Sequence, residues 1–186
     1  KLIFIFLLSY NFASNQVVNI DGNTSLGPII DVSSIDNENI HLSFTLDQFY
    51  LQSVEINNQE FFRVEIEGGA SLLESGFPDL PKFSKSIIIP NNKKMIFEIE
   101  NVEYVEYDNI LIAPSKGNFS RLVNPESVMY DFADVYSENS FFPKNEVQLN
   151  TPYILRDFRG QVVQFNPIQY NPATKVLRVY TNIDVE

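Results

Sequence analysis

Apolar and polar residues alternate with period two along most of this chain, the spacing of strands that are buried on one face only. Phe62, Val64 and Ile66 alternate with Arg63, Glu65 and Glu67. Val54-Glu55-Ile56 precedes them, and Asn57-Asn58-Gln59 supplies a turn, so a hairpin is expected there. Residues 86–89 read as a strand stopped by Pro90-Asn91-Asn92. Met95, Phe97 and Ile99, alternating with Ile96, Glu98 and Glu100, read as its returning partner. Further strands are expected over residues 102–107 and 109–113. Near the end of the chain, residues 153–158 and 161–165 read as strands joined by a turn at Arg159-Gly160, and Asn171-Pro172-Ala173-Thr174 as another turn. Leu177, Val179, Thr181, Ile183 and Val185 share one face of a last strand, with Arg178, Asn182, Asp184 and Glu186 on the other. No stretch sustains a helical period. Many short strands separated by turns predict an all-β fold, an antiparallel β-sandwich.

Three regions depart from this regularity. Residues 1–14 begin with Lys1, continue through the apolar run Leu2-Ile3-Phe4-Ile5-Phe6-Leu7-Leu8 and end on Ala13-Ser14. That order is a secretory signal peptide, and the run is too short to span a bilayer. Residues 15–40 are a polar, irregular leader with one weak strand over 16–20, which leaves residues 41–186 as the sandwich domain. Residues 114–144 have no clear period and contain Pro125 and Pro143. Long loops inside compact domains are commonly functional, so this one is the place to look for function. The missing initiator Met, and a last strand that runs to Glu186, read as a segment of a longer precursor.

Composition narrows the chemistry. Sixteen Phe and nine Tyr without Trp favour strands. A formal charge of −11 argues against nucleic acid as a partner. With no Cys and one His, thiol catalysis, disulfides and Cys-based zinc sites are excluded, and a Ser-His-Asp triad would have to use His41. His41 is expected to be an ordinary strand or surface residue. Glu65 and Glu67 fall on a solvent face, and the acidic cluster at residues 36–39 lacks calcium-loop spacing. No cofactor, metal or catalytic residue is therefore expected, and the chain reads as an exported module that works by binding. Arg156-Asp157-Phe158-Arg159 suggests a salt bridge beside a turn. Tyr104, Tyr107, Tyr130 and Tyr136 would be the sugar-binding strip of a rival reading, an adhesion or carbohydrate-binding module of a secreted protein.

Three stretches point to a family. The first is Gly76-Phe77-Pro78-Asp79-Leu80-Pro81, followed by Ile87-Ile88-Ile89-Pro90. The second is Ile112-Ala113-Pro114-Ser115-Lys116-Gly117, followed by Tyr136-Ser137 and Phe141-Phe142-Pro143. The third runs from Ile154-Leu155-Arg156-Asp157-Phe158-Arg159-Gly160 through Pro167-Ile168-Gln169-Tyr170-Asn171-Pro172 to Leu177-Arg178-Val179-Tyr180-Thr181. Together they resemble the N-terminal propeptide of gingipain-type, clostripain-related cysteine peptidases, over roughly residues 68–186. The resemblance implies a secreted β-sandwich pro-domain whose partner is the catalytic domain of its own peptidase. Such a domain assists folding and blocks the active-site cleft. It also implies that an Arg or Lys of the long loop enters the specificity pocket like a substrate side chain. Arg121 matches that position, with Lys116 as the fallback. Leu122-Val123-Asn124 depart from the more acidic residues that follow it in the family.

Overall fold

The computed structural model describes residues 15–20, 27–34, 36 and 39–186; the expected export signal over residues 1–14 lies outside them. The strands are β1 (Asn15–Asn19), β2 (Ile29–Ser34), β3 (Ile40–Thr45), β4 (Gln48–Ile56), β5 (Gln59–Glu65), β6 (Ala70–Ser71) and β7 (Pro81–Ile89). They continue with β8 (Ile99–Tyr107), β9 (Val147–Leu149), β10 (Tyr153–Leu155), β11 (Phe158–Phe165), β12 (Ile168–Asn171) and β13 (Val176–Val185). Helical structure among the described residues is confined to short 3-10 turns at Pro125–Ser127 and Asp134–Ser137.

The strands pair antiparallel in three sheets. One has the order β10-β11-β7-β6, with β9 also on β11. A second has the order β12-β13-β3-β2, and β8 runs along the other edge of β13. The third, β1-β4-β5, continues the chain from β3. The two larger sheets face each other across Phe44 of β3. Its ring centroid lies 5.3 Å from that of Phe83 on β7 and 5.7 Å from that of Phe165 on β11. Phe44, Phe165, Leu177, Val179 and Ile183 are each 0% exposed. Burying a side chain of this size contributes about 1.5–3 kcal/mol. Phe49 of β4 meets Tyr107 of β8 edge to face at 5.5 Å, which joins the third sheet to the same core.

The all-β sandwich follows the alternation, and so does the β4–β5 hairpin. Asn57 and Asn58 both adopt positive φ, 53° and 63°, as the twist-matched two-residue turn requires. Other expectations differ from what is found. Residues 95–98 form no strand, and β8 does not return beside β7. After β7 the chain crosses to the opposite sheet, where β8 pairs with β13. Arg159 fastens the crossing by donating to the carbonyls of Asn91 and Lys93, each at 2.9 Å. The turn expected at Arg159-Gly160 lies at Arg156-Asp157, with Arg156 at φ 55°. Gly160 is inside β11, where the Tyr153 ring lies against it and leaves no room for a Cβ. No ion pair joins Arg156, Asp157 and Arg159 among the described residues. Residues 109–113 are not a strand either. They meet β5 through backbone bonds from Phe62 N to Leu111 O (2.7 Å) and from Ala113 N to Phe62 O (2.8 Å). The leader contains β1 where the weak strand was expected and also β2, an exposed edge strand on β3 whose outward residues carry no burial pattern.

Candidate functional site

The long irregular segment is anchored at its base by Gly76-Phe77-Pro78-Asp79-Leu80-Pro81. Asp79 N donates to Ala113 O (2.9 Å), Ser115 N to Phe77 O (2.7 Å) and Gly76 N to Ser115 O (2.9 Å). Ala133 N then donates to Gly76 O (3.0 Å). The chain thus leaves at Ser115 and returns at Ala133 on either side of one residue, and residues 116–132 project between them as a loop. Gly76 has φ +80°, and a Cβ there would stand 3.0 Å from the Ala133 Cβ. Only glycine allows this backbone approach without strain.

A polar network fixes this platform to the sheets. The buried Asp79 carboxylate accepts from Arg63 Nε of β5 at 2.9 Å and from Ser71 Oγ of β6 at 2.5 Å. Arg63 Nη1 also donates to Gln52 Oε1 of β4 at 3.3 Å. Burial opposes the charge on Arg63, but the hydrogen bond and charge of Asp79 outweigh it and hold the guanidinium above its ordinary pKa. Around the platform, Phe77 packs on Phe142 at 5.0 Å and Phe132 on Tyr136 at 4.8 Å. The Tyr136 hydroxyl donates to Ile112 O at 2.9 Å, and burial pushes its pKa up.

The loop is also cross-linked internally. Asn124 Oδ1 accepts from Glu126 N (3.1 Å) and caps the Pro125–Ser127 turn, while Ser127 Oγ donates to Asn124 O (2.7 Å). Lys116 Nζ donates to Pro125 O at 2.9 Å and stands 4.4 Å above the Tyr130 ring. Arg121 is exposed and has no hydrogen bond or ion pair among the described residues. Of the two cations in residues 116–132, then, Lys116 is engaged within the loop and Arg121 points outward unengaged. Next to Arg121, Leu122 is 95% exposed.

The other candidates lie apart from any common site. His41 Nε2 on β3 is 3.4 Å from Glu100 and 3.9 Å from Asp184, an ion-pair setting without a nucleophile. Glu65 and Glu67 are exposed. The four tyrosines do not form a strip: Tyr104 packs on Tyr180, Tyr107 on Phe49, Tyr130 under Lys116 and Tyr136 on Phe132. No cluster of three or more His, Asp or Glu suited to a metal ion occurs among the described residues. No helix among them is long and apolar enough to cross a membrane. The role of residues 76–81 as this platform was not evident from the alternation of apolar and polar residues. The signal available was the dense Gly-Pro-Asp-Pro spacing, which demands a fixed backbone path.

The family model Propeptide_C25 matches residues 25–186. The chain belongs to this propeptide family. The propeptide is 46% identical to gingipain R1 of Porphyromonas gingivalis over 117 residues, which cover 63% of this chain and 12% of that protein. It is 37% identical to gingipain R2 of the same species over 158 residues, 85% of this chain and 22% of that protein. It therefore spans less than a quarter of the length of these relatives. Among solved structures it superposes on the complex of Porphyromonas gingivalis RgpB pro- and mature domains with a TM-score of 0.80 and 36% identity, covering 84% of this chain and 82% of that one. A structure describing the zymogenic latency of gingipain K from the same organism shares the fold, with a TM-score of 0.77, 20% identity and coverage of 92% and 96%.

Proposed function

We propose that this propeptide holds the cysteine peptidase of its own precursor latent by inserting Arg121 into that enzyme's specificity pocket, and that it assists the enzyme's folding. The observation that carries the reading is the loop over residues 116–132. It is pinned at both ends to Gly76-Phe77, braced from within by Lys116 and Asn124, and tipped by an exposed Arg121 with no partner of its own among the described residues. A guanidinium offers a planar fork of donors that matches a carboxylate bidentately, so an acidic pocket is its natural complement. A braced loop loses little conformational freedom on docking, which favours tight binding. The relative whose structure contains both pro- and mature domains supports the same partnership here. In this reading the propeptide supplies no catalytic residue, the catalytic domain follows it in the precursor, and the precursor is exported to the periplasm, cell surface or beyond.

The test is inhibition of the cognate mature peptidase. Removing one partner of a desolvated charge pair costs about 3–5 kcal/mol, and each ~1.4 kcal/mol is tenfold in affinity. Arg121→Ala is expected to raise the inhibition constant at least about a hundredfold. Arg121→Lys loses less, because the charge survives and the fork does not. Equal constants for folded wild type and Arg121→Ala would place the blocking contact elsewhere.

A further inference from the structure

We infer that the end of the sandwich away from the loop, where the β10–β11 hairpin meets the crossover after β7, is a docking surface for an anionic phospholipid bilayer. Strand β7 leads away from the platform, and the seven steps from Pro81 to Ile88 span about 23 Å. At that far end Ile88, Ile96, Ile154, Leu155 and Phe158 are 60–77% exposed. The backbone joins them into one patch. Ile88 pairs with Gly160 of β11, and Gly160 with Tyr153 of β10. Leu155 and Phe158 form the next pair on the same face. Arg159 ties the crossover to this hairpin through the carbonyls of Asn91 and Lys93. Ile88 and Ile96 border one groove with Lys93 and Lys94.

Two features select a lipid surface as the occupant. The first is charge. The chain has 13 Lys and Arg against 24 Asp and Glu. Residues 88–97 and 153–160 reverse that balance, with Lys93, Lys94, Arg156 and Arg159 against one carboxylate, Asp157. Basic residues beside an exposed apolar patch suit an anionic headgroup layer. Glu98, Glu100 and Glu186 border the groove on its β8 side and confine the contact to the hairpin side. The second feature is the shape of the hairpin end. Successive strand residues point to opposite faces, so Ile154 lies on one face and Leu155 and Phe158 on the other, around the exposed Arg156-Asp157 turn. β10 ends the strand order of its sheet, so no further strand shields this hairpin among the described residues. A rigid protein surface covers one face of such a hairpin. A fluid interface admits both, with the apolar side chains below the headgroups and the cations among them. Contact at this end leaves the loop at the other end accessible to the peptidase and does not depend on Arg121.

The experiment is flotation with lipid vesicles, using the propeptide without residues 1–14, whose apolar run would bind lipid by itself. Wild type is expected to float with vesicles of equal parts phosphatidylglycerol and phosphatidylcholine, and only weakly with phosphatidylcholine alone. Raised salt should weaken the binding, because it screens the exposed cations. Leu155→Ser combined with Phe158→Ser should weaken binding to the mixed vesicles at least about tenfold. Lys93→Gln combined with Lys94→Gln should weaken it about twentyfold and leave binding to phosphatidylcholine unchanged. All four side chains are exposed, so circular dichroism and inhibition of the peptidase should stay at the wild-type level. Wild type that leaves the mixed vesicles unbound overturns the inference, as does binding that either double variant leaves unchanged. Two further results overturn it by naming another occupant. A tip variant that raises the inhibition constant without altering flotation makes the patch a contact with the peptidase. A wild-type dimer that fails to float, and that Leu155→Ser with Phe158→Ser dissociates in analytical ultracentrifugation, makes it a self-association surface.

Discussion

Gly76 is the residue on which the loop's two ends converge, and replacing it with Ala separates two physical effects. An L side chain in the left-handed region costs about 1–2 kcal/mol. The added Cβ would also stand 3.0 Å from Ala133 Cβ and 3.1 Å from Ala133 N. Ala133 N is the donor that closes the loop on Gly76 O at 3.0 Å, so relief of the overlap stretches or breaks that bond. Overpacking of this kind costs a further ~1–3 kcal/mol. Gly68 supplies the control. Its φ is +73°, but its Cβ would meet only Phe83 Cε1 at 3.9 Å, so Gly68→Ala carries the conformational cost alone. Gly76→Ala is expected to cost about 2–4 kcal/mol and Gly68→Ala about 1 kcal/mol. In a domain of this size ~3 kcal/mol lowers the melting temperature by about 6–12 °C, yet leaves it folded against a typical reserve of about 5–15 kcal/mol. Urea unfolding would measure both variants. Limited proteolysis at residues 116–132 would show whether the damage reaches the loop, and only Gly76→Ala should speed it. Equal destabilisation by the two variants, with loops equally protected, would refute the convergence argument.

Four other outcomes are expected. Asp79→Ala strands Arg63 and Ser71 at a largely buried site, and should cost about 2–3 kcal/mol in urea unfolding after allowance for Arg63's partial exposure. Glu106→Ala at the more open Arg178 pair should cost under about 1 kcal/mol. Phe44→Ala empties the contact between the two large sheets and should cost about 3–5 kcal/mol, with no specific effect on the loop. Burial acts to raise the Asp184 pKa, but hydrogen bonds from Ser43, Asn182 and Asn101 and the charge of His41 outweigh it and hold the carboxyl below its ordinary range. A depressed carboxyl pKa stabilises the fold above the unfolded value, about pH 4, and that stability is lost as pH falls through the folded value. Asp184→Asn should therefore lower stability in urea slightly near neutrality, by under about 1 kcal/mol, and converge on wild type as pH falls through the folded value.

Much of this was legible in the residues alone. Period two assigns faces without knowing neighbours: Leu177, Val179, Ile183 and Val185 are all 0–1% exposed, as their alternation required. Asn57-Asn58 specified its turn because few residues tolerate left-handed angles in succession. One His and no Cys removed thiol chemistry before any fold was considered. The sequence pattern did not decide which strands meet. The alternation around β7 and residues 95–99 suited a local hairpin, yet β7 pairs with β11 and β8 with β13. Alternation records which face is buried and says nothing of the partner, which is chosen by how two twisted sheets close over rings such as Phe44 and Phe165. The loop shows the same division. Lys116 and Arg121 are equivalent as cations in a polar stretch, and only the folded chain, by bringing Pro125 O and the Tyr130 ring under Lys116, engages one and leaves the other projecting.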